Sequence, residues 1–224
     1  VADKDEPGIN GDEKSAALNE ADIRVVQNET LKQRRREQIC DAALELFLEK
    51  GFASTTIRDI CARSGVNQAS IYDYIANKND ILRRLLNQLW FRTDVPTLPS
   101  LLGQTDRDLE DVLREYYRET WDKKGMGALL VYRTVPHMQK VDRQAMRERE
   151  RTLIEDAAGE LRKRFSLGEG DPRFEILANL LVYLATFGPM RSWLQTELPV
   201  DVIVHATSAA AAAMIRQVVD QPQG

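Results

Sequence analysis

Arg58, Gln68, Ala69 and Ser70 stand close together in the chain, and their side chains suit one task, reading the edges of base pairs. The planar fork of an arginine fits guanine O6 and N7, and a glutamine amide pairs with N6 and N7 of adenine. An alanine methyl packs on the methyl of thymine, and a serine hydroxyl serves a base or a phosphate. Arg58 is read as a base or phosphate contact, with an ordinary surface arginine as the alternative. Asp73, in the same stretch, either accepts from cytosine N4 or points away.

Other chemistries find no such grouping. Two histidines and two cysteines, Cys40 and Cys61, give no metal-ligand spacing, so no metal is expected. No nucleophile–base pair of readable spacing, phosphate-binding glycine loop or dinucleotide fingerprint is found. The expectation is a protein that is not an enzyme and has no cofactor. The two cysteines read as reduced thiols packed in a core. The net charge of −4 is unevenly spread: residues 1–30 carry −5, residues 31–92 carry +4 and residues 93–224 carry −3. The basic block coincides with the candidate base readers, as a DNA-binding segment requires.

Those side chains can act only if something holds them in a row. Thr55 to Ile75, TTIRDICARSGVNQASIYDYI, predicts two short helices joined at Ser64-Gly65-Val66. Gly65 supplies the backbone freedom that a tight turn needs. Asn67 caps the second helix, and Ile71, Tyr74 and Ile75 turn inward. In a helix-turn-helix the second helix offers its first residues to the major groove. Ahead of it, Ile39, Ala42, Ala43, Leu46 and Phe47 recur on one helical face, closed by Gly51. Behind it, Asn77 opens a helix whose apolar stripe is Ile81, Leu82, Leu85, Leu86 and Leu89.

The periodicity is helical throughout, which predicts an all-α fold: an N-terminal three-helix helix-turn-helix domain plus a C-terminal helical effector-binding and dimerisation domain. Residues 1–30 read as an acidic, flexible tail. Residues 31–77 read as the DNA-binding domain, 78–94 as a connecting helix and 95–221 as the ligand-binding and dimerisation domain. The prolines between Val95 and Ser100 mark the boundary. Beyond them, helices are predicted over 109–121, 126–135, 142–165, 173–193 and 200–219. The run Arg147 to Arg151 reads as a solvated face. No secretory signal and no apolar stretch of membrane-spanning length is read, so a cytoplasmic protein without membrane contact is expected.

The run Arg34 to Leu82, RRREQICDAALELFLEKGFASTTIRDICARSGVNQASIYDYIANKNDIL, resembles the DNA-binding domain of the TetR (tetracycline-repressor) family. The matching features are Arg34-Arg35-Arg36, Ala42-Ala43, Phe47 before Gly51-Phe52, Thr55-Thr56-Ile57, Ile60, Gly65-Val66, Tyr72, Tyr74, Lys78 and Ile81-Leu82. The departures are Cys61 where alanine is usual, Ile75 where phenylalanine is usual, and Asp73 where a neutral or basic residue is common. The resemblance implies a homodimeric regulator on double-stranded DNA with a pseudo-palindromic operator. It implies repression relieved by a small-molecule effector. The alternatives are a ligand-independent regulator or activator of the same fold, and a helical interaction protein that does not touch DNA. Thr56, Tyr72, Tyr74 and Lys78 match backbone-holding positions, although Tyr72 could instead pack within the small core, and Arg35 of the basic start is a further candidate DNA contact.

The C-terminal helices carry a dense set of aromatic, thioether and polar-tipped side chains, which suits a ligand pocket. Trp121, Met126, Tyr132, His137, Tyr183 and Phe187 are the candidate effector contacts. His137 could instead be a simple helix-end residue. Arg133 either anchors an acidic effector or points to solvent. The last two helices resemble the family's dimerisation element, with Ala206, Ala210, Ala213 and Met214 as candidate interface residues.

Overall fold

Local capping chemistry sets the start of most helices. In a computed structural model, which describes residues 17–220 except 27, 169, 195 and 196, Asn28 caps α1 (Glu29–Lys50) by accepting from the Leu31 amide. Thr56 and Asp59 form a reciprocal capping box at the start of α2 (Ile57–Ser64). Asn77 accepts from the Asp80 amide to start α3 (Lys78–Leu89). Next come α4 (Leu98–Leu102), α5 (Leu109–Thr134), α6 (Lys140–Arg164), α7 (Arg173–Arg191) and α8 (Val200–Val219). Among the described residues the fold is all-helical. The expectations for residues 1–16 and 221 fall outside them.

Two apolar cores form. The first gathers Ile39, Ala43 and Phe47 of α1, Ile60 of α2, Ile71, Ile75, and Ile81, Leu85 and Leu86 of α3. The second joins α4 to α8 around Leu98, Leu113, Tyr117, Leu161, Phe174, Leu181, Ala211 and Ile215. Both cysteines are free and buried, and burial pushes the Cys40 thiol up to about 12, which makes it a poor nucleophile.

The structure departs from the sequence reading at several places. The break after α3 is present over 90–97, but α4 already starts within the proline-rich stretch; the gap expected between 121 and 126 is absent, α5 running unbroken through Gly125 and Gly127. Gly127 is there because α5 crosses the end of α3 at backbone distance. A Cβ on it would lie 2.4 Å from the Leu89 carbonyl oxygen. The domain border is also crossed, because Leu130 and Val131 of α5 and Met138 and Met146 beyond it pack into the first core.

The part of the acidic tail that is described does not hang free. Leu18 is buried, and the Asn87 side chain accepts from its amide at 2.8 Å and donates to its carbonyl at 2.9 Å. Ala21 donates to buried Asp80, and Arg84 binds Glu20 and the Ala21 carbonyl. Finally, α8 is by length and composition apolar enough to cross a membrane, with a mean hydropathy of 1.4, contrary to the sequence reading. Its alanines supply that hydropathy, and its inner face packs on α5 and α7.

Candidate nucleic-acid interface and helical cavity

The helix-turn-helix is built from α2 and the segment after it. Gly65 closes α2 in the left-handed region at φ 70°, and its amide donates to the Cys61 carbonyl. Val66, buried, fills the angle beyond. The second element is not the expected α-helix. Asn67 Oδ1 accepts from the Ala69 amide, its carbonyl accepts from Ser70, and a tight 3-10 turn covers Ile71–Asp73. The Asx turn competes with helical winding, and buried Ile71 and Ile75 pin the 3-10 turn to the first core.

That turn nevertheless sets out the predicted readers. Arg58, Gln68 and Ala69 are exposed, Ser70 is half-buried and Tyr72 is half exposed at 53%. Tyr72 therefore does not pack in the core. Thr56 is exposed beside Arg58, while Asp73 and Tyr74 are half-buried. Arg36 braces the turn from α1, its Nε donating to the Tyr74 carbonyl at 2.9 Å. Arg35 is half-buried and donates to Gln38. On the back of the unit Arg63 is tied to Glu45 and Glu49, and Lys50 to Asp59. The Lys50 ammonium and the Thr56 amide hold Asp59 well below the usual carboxylate range.

Lys78 differs from expectation. Its ammonium is turned inward, donating to the Phe52 and Thr55 carbonyls at 2.7 Å each, and it stands 4.4 Å from the Phe52 ring centroid. Partial burial lowers its pKa. The side chain closes the loop between α1 and α2 instead of reaching outward.

The C-terminal helices enclose a cavity of about 550 Å³. Its walls are Trp90 and Phe91 after α3, Leu98 and Pro99 of α4, Tyr116, Thr120 and Lys124 of α5, Arg149, Glu150 and Leu153 of α6, and Val182 of α7. The six side chains expected to line a pocket are not among them. Trp121 is core: stacked on Tyr117 at 6.3 Å and pressed on Gly188, whose added Cβ would lie 2.6 Å from the indole. Met126, Tyr132, His137 and Tyr183 are exposed and Phe187 is half-buried. Arg133 donates to the Leu48 carbonyl, so it ties α5 to α1 rather than facing a ligand.

The cavity residues escaped the sequence reading because Arg149 and Glu150 lie in the run taken for a solvated face. Arg147, Glu148 and Arg151 of that run are exposed, but Arg149 and Glu150 turn inward. Burial pushes the Glu150 carboxyl up, and it accepts from the Trp90 indole at 3.2 Å. Lys124, desolvated opposite, is pushed down to about 8. A second tie joins the same elements: Arg83 of α3 binds Asp142 at 2.9 Å and Gln139 at 2.6 Å.

Ala206, Ala210 and Ala213 lie exposed on the outer face of α8, with Met214 half-buried at its edge. Beside them, α7 exposes a stripe that the sequence reading did not assign to an interface: Ile176, Leu180, Tyr183 and, half-buried, Phe187.

Residues 39–85 match the model of the bacterial regulatory proteins of the tetR family. Over 58 residues the chain is 43% identical to the HTH-type transcriptional regulator HbdR of Aromatoleum sp. (strain CIB), covering 26% of this chain and 25% of that protein. It is 36% identical over 63 residues to the HTH-type transcriptional repressor KstR2 of Rhodococcus jostii (strain RHA1), covering 26% and 31%. The chain thus spans less than a third of the length of each of these two relatives. A TetR-like transcriptional regulator from Rhodococcus sp. RHA1 shares the fold at TM-score 0.59 and 20% identity, over 84% of this chain and 97% of that one. The fatty acid degradation regulator FadR from Bacillus halodurans does so at TM-score 0.56 and 18% identity, over 81% and 96%. Residues 39–85 thus carry a segment of the tetR-family type, set in an all-helical fold shared with TetR-like regulators.

Proposed function

We propose that the protein is a cytoplasmic, homodimeric transcriptional regulator that binds a pseudo-palindromic operator and represses until a small molecule occupies its C-terminal domain. The observation that carries the DNA-binding reading is the outward row of Thr56, Arg58, Gln68, Ala69 and Tyr72, fixed from behind by Arg36 and a buried isoleucine pair. Phosphate contacts position such a domain and base contacts specify its site. Arg58 and Gln68 serve as readers; Arg35, Thr56, Tyr72 and Tyr74 serve the backbone.

A dimer is supported by the outer faces of α7 and α8. The α7 stripe of Ile176, Leu180, Tyr183 and Phe187 and the α8 stripe of Val202, Ala206, Ala210 and Ala213 adjoin, and a second copy would cover both. Small residues on α8 permit close helix approach. The hydropathy of α8 is explained in the same way, without a bilayer. The domain limits in this reading are a DNA-binding unit through about residue 77, a connecting helix that shares its core, and a C-terminal unit that reaches back into that core along α5.

Selection of DNA bound by the full chain from a random pool tests the reading. The expected product is an inverted repeat with half-site centres roughly 34–36 Å apart, about one helical turn. Recovery of no preferred sequence at moderate salt would sink it, as would a monomer in sedimentation for the dimer.

A further inference from the structure

The C-terminal cavity ends on an ammonium that has no counter-group of its own. Lys124 forms no hydrogen bond or ion pair among the described residues, although it is half-buried in the wall of the cavity. Tyr116, Thr120 and Lys124 share one face of α5, so the ammonium closes a wall that is otherwise aromatic and aliphatic. The charged groups around it are Arg149, Glu150, Arg92 and Asp94. Arg92 and Asp94 are paired with each other at 2.6 Å. Glu150 is held by the Trp90 indole. The Lys124 ammonium therefore faces the cavity with no carboxylate at hydrogen-bond distance among the described residues. Glu148 and Asp156, also in the lining, are exposed, and Glu148 is paired with Arg151.

We infer that this cavity takes an amphipathic anion, with its carboxylate-type head on Lys124 and its apolar body along Leu98, Pro99, Tyr116 and Val182. The inference rests on reading the C-terminal domain as an effector-binding domain and names the chemical class of the effector. Its volume falls within the span of small-molecule sites. An anion there supplies the partner that Lys124 lacks among the described residues, whereas an ammonium ligand would set a second cation beside it. The site also touches the machinery that must respond. Trp90 caps α3 and Phe91 comes directly after it, so a head group that draws on Lys124 and Glu150 acts beside the Trp90–Glu150 bond.

Calorimetric titration of the full chain with decanoate, decanol and decylammonium, each below its micelle concentration, tests the class directly. Decanoate should bind roughly tenfold tighter than decanol, as one partly desolvated ion pair implies. Lys124→Met should erase that advantage and leave decanol affinity unchanged, and Lys124→Arg should keep most of it. Equal affinities, tighter binding of decylammonium, or no binding of any of the three overturns the inference. Operator affinity is measured separately in the same samples. Decanoate bound through Lys124 with operator affinity unmoved would uphold the anion site and remove the effector reading of the domain.

Discussion

Lys78 and Lys124 are both lysines turned into the protein, and they meet opposite surroundings. Lys78 finds backbone carbonyls at hydrogen-bond distance and an aromatic face. Lys124 finds another cation, a carboxyl already bound by an indole, and open space. The contrast extends to neighbouring atoms. The buried side-chain atoms left without a partner among the described residues are Arg114 Nε, Tyr117 Oη, Trp121 Nε1 and Arg162 Nε, all in the C-terminal helices. Unmet polar groups cost stability. The DNA-binding unit satisfies its inward polar groups and so forms a stiff platform. The C-terminal unit leaves these groups unmet within its helices and, separately, leaves the Lys124 ammonium at the cavity without a partner among the described residues.

The two units are joined at the end of α3, and the largest expected effect strikes there. Gly127→Ala places a methyl against the Leu89–Trp90 backbone, which cannot yield as a side chain would. Overpacking of this kind costs about 3 kcal/mol, readable in urea unfolding. If the variant is as stable as the parent, the two units are not rigidly seated on each other. The next effect belongs to the platform. Lys78→Met leaves the Phe52 and Thr55 carbonyls without their donor and should cost about 2 kcal/mol of stability, since charged hydrogen bonds are worth more than neutral ones. Operator affinity in the folded variant should fall through disorder of the α1–α2 loop. A change confined to the salt dependence of DNA binding would instead return Lys78 to the phosphates.

The same comparison explains what was legible in the chain. Asn77 and Thr56 announce their helices because a cap is a contact within three residues, and α1 to α3 are read directly from such contacts and their apolar stripes. The exposure of the candidate readers was legible because their spacing from Gly65 is local. The 3-10 winding of the recognition turn was not, since it depends on Ile71 and Ile75 being anchored by other helices. The helices read over 109–121 and 126–135 are one helix, whose continuity depends on packing, and at Gly127 the residue is set by the backbone of α3. The cavity was hidden most completely. Alternating charges from Arg147 to Arg151 give no sign that two of the five turn inward, and the aromatic residues that drew attention are either core, like Trp121, or outer surface, like Tyr183.

A smaller effect, on affinity rather than stability, separates readers from supports within the platform. Arg58→Ala and Gln68→Ala each remove an exposed side chain that makes no contact holding the fold, so melting should not change. Each should weaken the preferred operator by about 1–2 kcal/mol and relax preference at one position of each half-site. Uniform loss on all sequences would make the residue a backbone contact.

The smallest expected effect is the most discriminating, because its sign is opposite to that at Lys78. Lys124 is held down to about 8 by burial and by Arg149, against roughly 10.4 for an unfolded lysine. A lysine with a lowered folded value binds fewer protons when folded between those limits, so its contribution to stability rises with pH there. The charged form is thus a burden below about 8, and it is relieved as pH climbs toward 10.4. Lys124→Met removes the ionising group and should make the protein more stable at pH 7, by about 1 kcal/mol after allowance for partial exposure. The advantage should shrink steadily from pH 8 to pH 10. Taking the difference between parent and variant cancels other titrating groups, Cys40 and the tyrosines among them. Urea unfolding at four or five pH values in that window reads it. A variant less stable than the parent at pH 7 would mean that Lys124, like Lys78, has a partner that holds it, and the contrast between the two units would close.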